Sequence, residues 1–363
     1  MRPQSLVDRF GAAGARFAGG DPELAVLTFG DVPAEYRAGR EGALLLDATA
    51  RGRVVVRGEE RADFLHRILA NDVRSLAPGA GNRNLLLDPK GKVVEMFELC
   101  VEDDAIVLEA EEGRGAALLS AVDMFLFAEK VELADASAGA APLALCGPRA
   151  FEVVRELLGV EPPTEPGHWR ESNGVRAVCA IVAGSRGWRV DAGVDGAAES
   201  FDRALAAGAA PGGLVAEDSL RVEAAAVRFG ADVEGGVYPQ EARLENCFSL
   251  TKGCYTGQEV VAKIDTYGGL NKRLVTVALD RDEPVARGTA LLAPDDEGGT
   301  RRIGVVTSWA YSFELDRPVA LAYVKRRNQA VGNAFTLDGE HGTATIVATP
   351  LRGDGEPVTG DFE

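Results

Sequence analysis

Histidine and cysteine are scarce in this chain. Only His66, His168 and His341 occur in 363 residues, and they share no metal-ligand spacing, which excludes a histidine-built metal centre of the usual kind. The five cysteines are Cys100, Cys146, Cys179, Cys247 and Cys254. Their number is odd and no CxxC occurs, so neither a disulfide framework nor a four-thiolate zinc site is indicated, and no metal ligands are assigned. Positive charge is also short. Lys and Arg number 39 against 56 Asp and Glu, a net charge of -17. Such a field repels polyanions, so a nucleic-acid partner is not expected. No apolar run reaches the ~18–20 residues that span a bilayer. The opening Met1–Ser5 runs into Asp8, Arg9 and Arg16, which is not the apolar core of a secretory leader. These absences point to a cytoplasmic protein with no membrane partner.

What is present is ordinary globular chemistry: 46% hydrophobic and 26% charged residues. At about 100–200 residues per domain, the length predicts two or three domains. Arg53–Arg57 reads as a strand. Glu59–Leu69 carries apolar residues at helical spacing, and Asn71-Asp72 ends that helix. Asn84–Leu87, the turn Asp88-Pro89-Lys90-Gly91 and Lys92–Val101 read as a β-hairpin. Further short strands and helices alternate to about residue 207. After about residue 272 only short strands remain, separated by Gly, Asp and Pro, which predicts a small β-barrel over residues 273–363. Residues 1–272 read as α+β with antiparallel sheets rather than a doubly wound parallel sheet.

The most distinctive stretch is Lys252-Gly253-Cys254-Tyr255-Thr256-Gly257-Gln258-Glu259. Thr256 and Glu259 have the spacing of a capping box, which predicts a helix from Gly257 with Thr256 as N-cap. Cys254 then lies two residues before the cap, near the positive end of the helix dipole, with Lys252 nearby. Both features favour a thiolate. The other reading is a buried cysteine in a turn. Gly253 and Gly257 permit close approach of backbone or ligand.

KGCYTGQE resembles the signature of the YgfZ family, folate-binding proteins of iron–sulfur cluster assembly and repair. That family is related to the T-protein of the glycine cleavage system, an aminomethyltransferase that uses tetrahydrofolate. The resemblance continues through Gly269 and Asn271-Lys272-Arg273-Leu274. It is collinear with Asn71-Asp72-Val73, Gly147-Pro148, Leu220-Arg221-Val222-Glu223, Pro239 with Glu241, and Gly304–Ser308. It implies a three-part cloverleaf: two interleaved α+β units over residues 1–272, a C-terminal β-barrel, and a central cavity for tetrahydrofolate or a one-carbon derivative. It implies folate and iron–sulfur client or assembly proteins as partners, and it places Cys254 at the cavity or its rim. Two positions depart from the transferases. Ser185 stands where a Glu holds the pterin, and Glu95-Met96 stands at the catalytic Asp-Asp pair.

Several further residues are candidates. Arg221 and Glu223, two apart, share a face if they lie on a strand, and the resemblance suggests that they line the folate cavity. Salt bridging is the alternative. Trp188 offers a face to a pterin or a p-aminobenzoyl ring, or fills a core. Asn71 either caps a turn or touches ligand. Tyr255, Gln258 and Glu259 shape the motif loop. Cys247 reads as packed among apolar neighbours. Lys325-Arg326-Arg327 is a solvated turn or a hold for a polyglutamyl tail. Three functions follow: a folate-binding accessory factor with Cys254 and Lys252 as its reactive pair, an aminomethyltransferase working through Glu95, or a non-catalytic scaffold.

Overall fold

The computed structural model describes residues 2–295, 298–339 and 342–351. His341 and the end of the expected barrel segment, 352–363, lie outside the described residues.

The chain builds two α+β units and a barrel, and the first two are interleaved. Leu44–Asp47 lies in a six-stranded sheet. The chain then leaves to make all of a five-stranded sheet, in the order Gly81–Leu87, Val93–Val101, Ala105–Glu112, Arg51–Arg57, Glu132–Asp135. It returns at Leu143–Cys146 to complete the first sheet with Trp169–Ser172, Val175–Val182, Ser185–Asp191 and Ala210–Pro211. Every pairing is antiparallel except the short contact of Ala210–Pro211 with Leu44 and Leu45. Lys272–Leu279 opens a closed six-stranded antiparallel barrel around Val277, Leu291, Val324 and Leu337.

Each sheet packs one face on helices. Phe97, Leu99, Val54, Val56 and Leu108 form a core with the helices Arg61–Ile68 and Gly115–Asp123. Leu145, Trp188 and Val190 do the same with the helices Ala150–Leu158 and Gly193–Ala206. Because side chains alternate along a strand, the opposite faces carry Glu98, Glu109, Arg51, Arg53, Arg189 and Asp191. These faces meet each other, with Cys100, Val107 and Val178 as a small apolar contact between them. A third cluster joins Leu85 and Met96 to Val222, Tyr255, Leu274 and Leu321, where all three parts meet.

Two expectations are corrected here. Residues 214–223 form a helix, not a strand, so Arg221 and Glu223 point to different places. Two residues subtend about 200° on a helix. Val32–Glu41 is also a helix, although the Gly and Asp content of the first ~50 residues, after a short helix-like opening, suggests a loop. Asp31 caps it by accepting from the Ala34 amide at 3.0 Å, and Pro33 and Glu35 occupy its first turn.

Candidate functional site

The motif loop is held from several sides. The Ser249 amide donates to the Ala70 carbonyl at 2.9 Å, and Ser249 Oγ accepts from the Thr251 and Lys252 amides. Lys252 Nζ donates to the His66 carbonyl, and His66 Nε2 donates to the Lys252 carbonyl at 3.0 Å. The helix Arg61–Ile68 therefore grips Lys252 at both ends. Burial lowers the Lys252 ammonium to about 8 against an upward pull from Asp72, so most of it stays protonated at neutral pH. Nζ lies 5.2 Å from the centre of the Tyr255 ring. Tyr255 is buried, its hydroxyl has no partner among the described residues, and burial raises its phenol to about 12.

Cys254 is exposed, and the other four cysteines are buried. Cys247 donates to Asn246 Oδ1 at 3.2 Å within the joint core. The capping box does not form. The helix runs Gln258–Tyr267, its N-cap is Gly257 at φ +81°, and no side chain caps it. Cys254 thus lies three residues before the cap. The reason is contact with the hairpin turn. At Gly257 a Cβ would stand 2.5 Å from the Asp88 carbonyl and 2.9 Å from Gly91 Cα, so the chain must turn here on a residue without one. Gln258 is half-buried and Glu259 exposed in the first turn.

A cavity of about 90 Å³, partly open to solvent, lies between the two α+β units and the segment over residues 217–244. Its charged lining comprises Arg51, Arg83, Arg189, Arg221 and Arg228 with Asp47, Glu98, Glu111, Glu112 and Glu217. Ile181, Val182, Val227 and Leu244 supply apolar wall, and no aromatic ring is among the lining residues. At the floor Arg189 pairs with Glu109 at 2.9 Å and Glu98 at 3.0 Å. Arg53 bridges Glu109 to Asp191, and Arg51 bridges Glu98 to Glu111. Burial would raise the Glu109 carboxyl, but Arg189, Arg53, Arg176 and Arg51 outweigh it and hold it at about 2.

The structure places the remaining candidates as follows. Arg221 lines this cavity and ties three segments together. It donates to Asp218 at 2.5 Å, to Asp232 at 2.8 Å and to Ser308 Oγ at 2.9 Å. Glu223 lies apart from it. Its carboxylate accepts from Tyr36 and Ser312, both at 2.7 Å, beside a second cavity that also holds Ser185. The two cavities share the hairpin turn Ala183-Gly184. Trp188 is core: its indole donates to the Pro163 carbonyl at 2.7 Å and its ring meets Phe151. Asn71 is a backbone brace between Arg83 and Asn246. Glu95 faces the helices, paired with Arg114, and burial raises its pKa against that arginine's pull. Its neighbour Met96 takes the opposite face, beside Arg83. Cys254, Lys252 and Lys325–Arg327 are not among the cavity's lining residues.

The ionic floor escaped the sequence reading. Arg51-x-Arg53 and Glu109-x-Glu111 alternate with apolar residues, a pattern that ordinarily marks a solvent face. The signal available was that a strand in a two-sheet contact has no solvent face.

An interleaved pair of α+β units followed by a closed barrel defines the glycine cleavage T-protein class of fold. Residues 8–252 match the profile of the GCVT N-terminal domain, and residues 272–351 that of the glycine cleavage T-protein C-terminal barrel domain. The chain belongs to this family. The aminomethyltransferase of Geobacillus thermodenitrificans is 29% identical over 364 residues, covering 94% of this chain and 95% of that one. A chloroplastic protein of Arabidopsis thaliana, provisionally named a transferase, is 26% identical over 85% of this chain and 71% of its own length. Among solved structures, aminomethyltransferase T of the glycine cleavage system from Bartonella henselae superposes with a TM-score of 0.81 at 23% identity, covering 96% of this chain and 97% of that one. Among the described residues no helix is long and apolar enough to cross a membrane.

Proposed function

We propose that this chain is a tetrahydrofolate-binding accessory factor for iron–sulfur cluster assembly or repair, with the Cys254 thiol as its working group. One observation carries the choice of accessory factor over transferase. Glu95 is turned to Arg114, and the side chain presented beside Arg83 is the thioether of Met96. The segment that resembles the transferases' catalytic pair thus offers the cavity no carboxylate to move a proton. The one exposed thiol among the five cysteines sits elsewhere, on a loop clamped by His66.

The residues fit a folate. Ile181, Val182, Val227 and Leu244 suit the faces of flat rings. Arg51 Nε is buried with no partner among the described residues, a donor left for a ligand acceptor. Arg83 is the cation available to an acidic tail. Bound tetrahydrofolate would supply a carrier for one-carbon units. The chain's residues would hold it and keep water from it.

The second reading is a tetrahydrofolate-dependent aminomethyltransferase, the named activity of the Geobacillus relative. One experiment separates them. Purified protein is titrated with 5-formyl-tetrahydrofolate and, separately, supplied with tetrahydrofolate and an aminomethyl donor. The accessory reading expects saturable folate binding and no methylene-tetrahydrofolate above the uncatalysed rate. Methylene-tetrahydrofolate formation that disappears in Glu95→Gln would establish the transferase. Absence of binding leaves a scaffold.

A further inference from the structure

The arginines lining the central cavity are not equivalent. Arg189 has Glu98 and Glu109, Arg51 has Glu98 and Glu111, Arg221 has Asp218 and Asp232, and Arg228 has Glu217 at 3.1 Å and Asp218 at 2.8 Å. Arg83 has no such partner. Its side chain is only 12% exposed. Nη2 donates to Met96 Sδ at 3.8 Å, and a thioether is a weak acceptor. The nearest carboxylate oxygen, Glu98 Oε1, is 3.9 Å from Nε, too far for a hydrogen bond. The other oxygen of Glu98 serves Arg189 and Arg51. Among the described residues no oxygen accepts a hydrogen bond from the Arg83 guanidinium.

The residue is nevertheless held firmly. It lies opposite Glu98 in the hairpin ladder, and Asn71 Nδ2 donates to its carbonyl at 3.0 Å. A fixed, nearly buried guanidinium whose nearest anion is the shared Glu98 at 3.9 Å keeps hydrogen-bonding capacity that a ligand carboxylate can fill. A guanidinium and a carboxylate match in charge and in planar, two-pronged geometry, which a neutral ring carbonyl does not.

We infer that Arg83 is the residue that receives a carboxylate of the cavity's ligand. On the folate reading proposed above, that group is the glutamyl carboxylate, and the pterin lies against another part of the wall.

The test compares three probes on three proteins: 5-formyl-tetrahydrofolate, p-aminobenzoylglutamate and 6-methyltetrahydropterin, with wild type, Arg83→Gln and Arg83→Lys. Calorimetry reads affinity, and thermal unfolding without ligand reads stability. Arg83→Gln should weaken the two glutamate-bearing probes by about 10–100-fold, as for loss of a hydrogen bond to a charged group. It should leave the pterin within twofold. Arg83→Lys should fall between. Ligand-free Arg83→Gln should unfold within a few degrees of wild type, because the only internal ion pair lost is the long contact with Glu98 at 3.9 Å. Unchanged binding of 5-formyl-tetrahydrofolate to Arg83→Gln would overturn the assignment alone. So would loss confined to the pterin, or an unfolding temperature that falls together with affinity. Wild-type protein that binds none of the three would overturn the folate reading and this assignment with it.

Discussion

Arg189→Leu should destabilise the protein by about 3–5 kcal/mol, read as a lower urea midpoint at pH 7. Arg189 is 4% exposed and serves two buried carboxylates at once. Its loss leaves Glu98 and Glu109 in a low-dielectric contact between sheets, Glu98 with Arg51 at 3.3 Å and Arg83 at 3.9 Å, and Glu109 with Arg53 at 3.3 Å. The cost comes from stranding these charges, not from the intrinsic strength of the pair. Replacing all three residues by apolar ones of similar size should therefore cost less than the single change. Acid adds a check of sign. Glu109 is held at about 2, below its unfolded value of about 4.3. A depressed carboxyl stabilises fully above the unfolded value, and that stability drains as pH falls from about 5 toward 2. The wild-type midpoint should drop steeply across this window, and Arg189→Leu should show a shallower fall. Equal midpoints for wild type and variant at pH 7 would contradict the account of the floor.

Gly257→Ala should cost about 2–3 kcal/mol and loosen the motif loop. Two causes add. At φ +81° a Cβ-bearing residue pays the left-handed penalty of ~1–2 kcal/mol. The new Cβ would also stand 2.5 Å from the Asp88 carbonyl and 2.9 Å from Gly91 Cα, both backbone, so the loop or the hairpin must move. Gly253→Ala is the control. It also has positive φ, at +107°, but faces open space, so only the conformational part applies. Hydrogen exchange over residues 249–262 reads the difference: fast exchange in Gly257→Ala and near-normal exchange in Gly253→Ala. Equal behaviour of the two would show that the hairpin contact does not hold the loop.

These two sites mark what the sequence could and could not tell. Val175–Val182 and Ala334–Leu337 are strands whose short apolar-rich runs and nearby glycines were legible in the residues themselves. The turn at Asp88–Gly91 was legible from its residue types: Asp88 Oδ1 accepts from the Lys90 and Lys92 amides, and Gly91 takes φ +75°. The motif loop was legible as a feature, and its thiol is exposed rather than buried. The cap was not. Thr256 has the spacing, but Gly257 is pressed on a segment more than 160 residues earlier. Local patterns cannot report such a contact. The same holds for the helix Leu214–Glu223, where Arg221 and Glu223 were read by strand spacing although nothing nearby required a strand. The ionic floor was hidden because alternation shows that a strand has two faces, not what covers the second. Lys252 was read as the cation beside Cys254, but its ammonium donates to the His66 carbonyl, 186 positions away, and no local pattern reports such a contact.

The central claim is that the Cys254 thiol works for cluster-dependent enzymes. The most direct measurement deletes the gene in its host and assays one iron–sulfur enzyme beside one enzyme without a cluster, then restores wild type or Cys254→Ala. The account predicts that only the cluster enzyme falls, that wild type restores it, and that Cys254→Ala does not. Full cluster-enzyme activity after deletion, or equal rescue by Cys254→Ala, would contradict it.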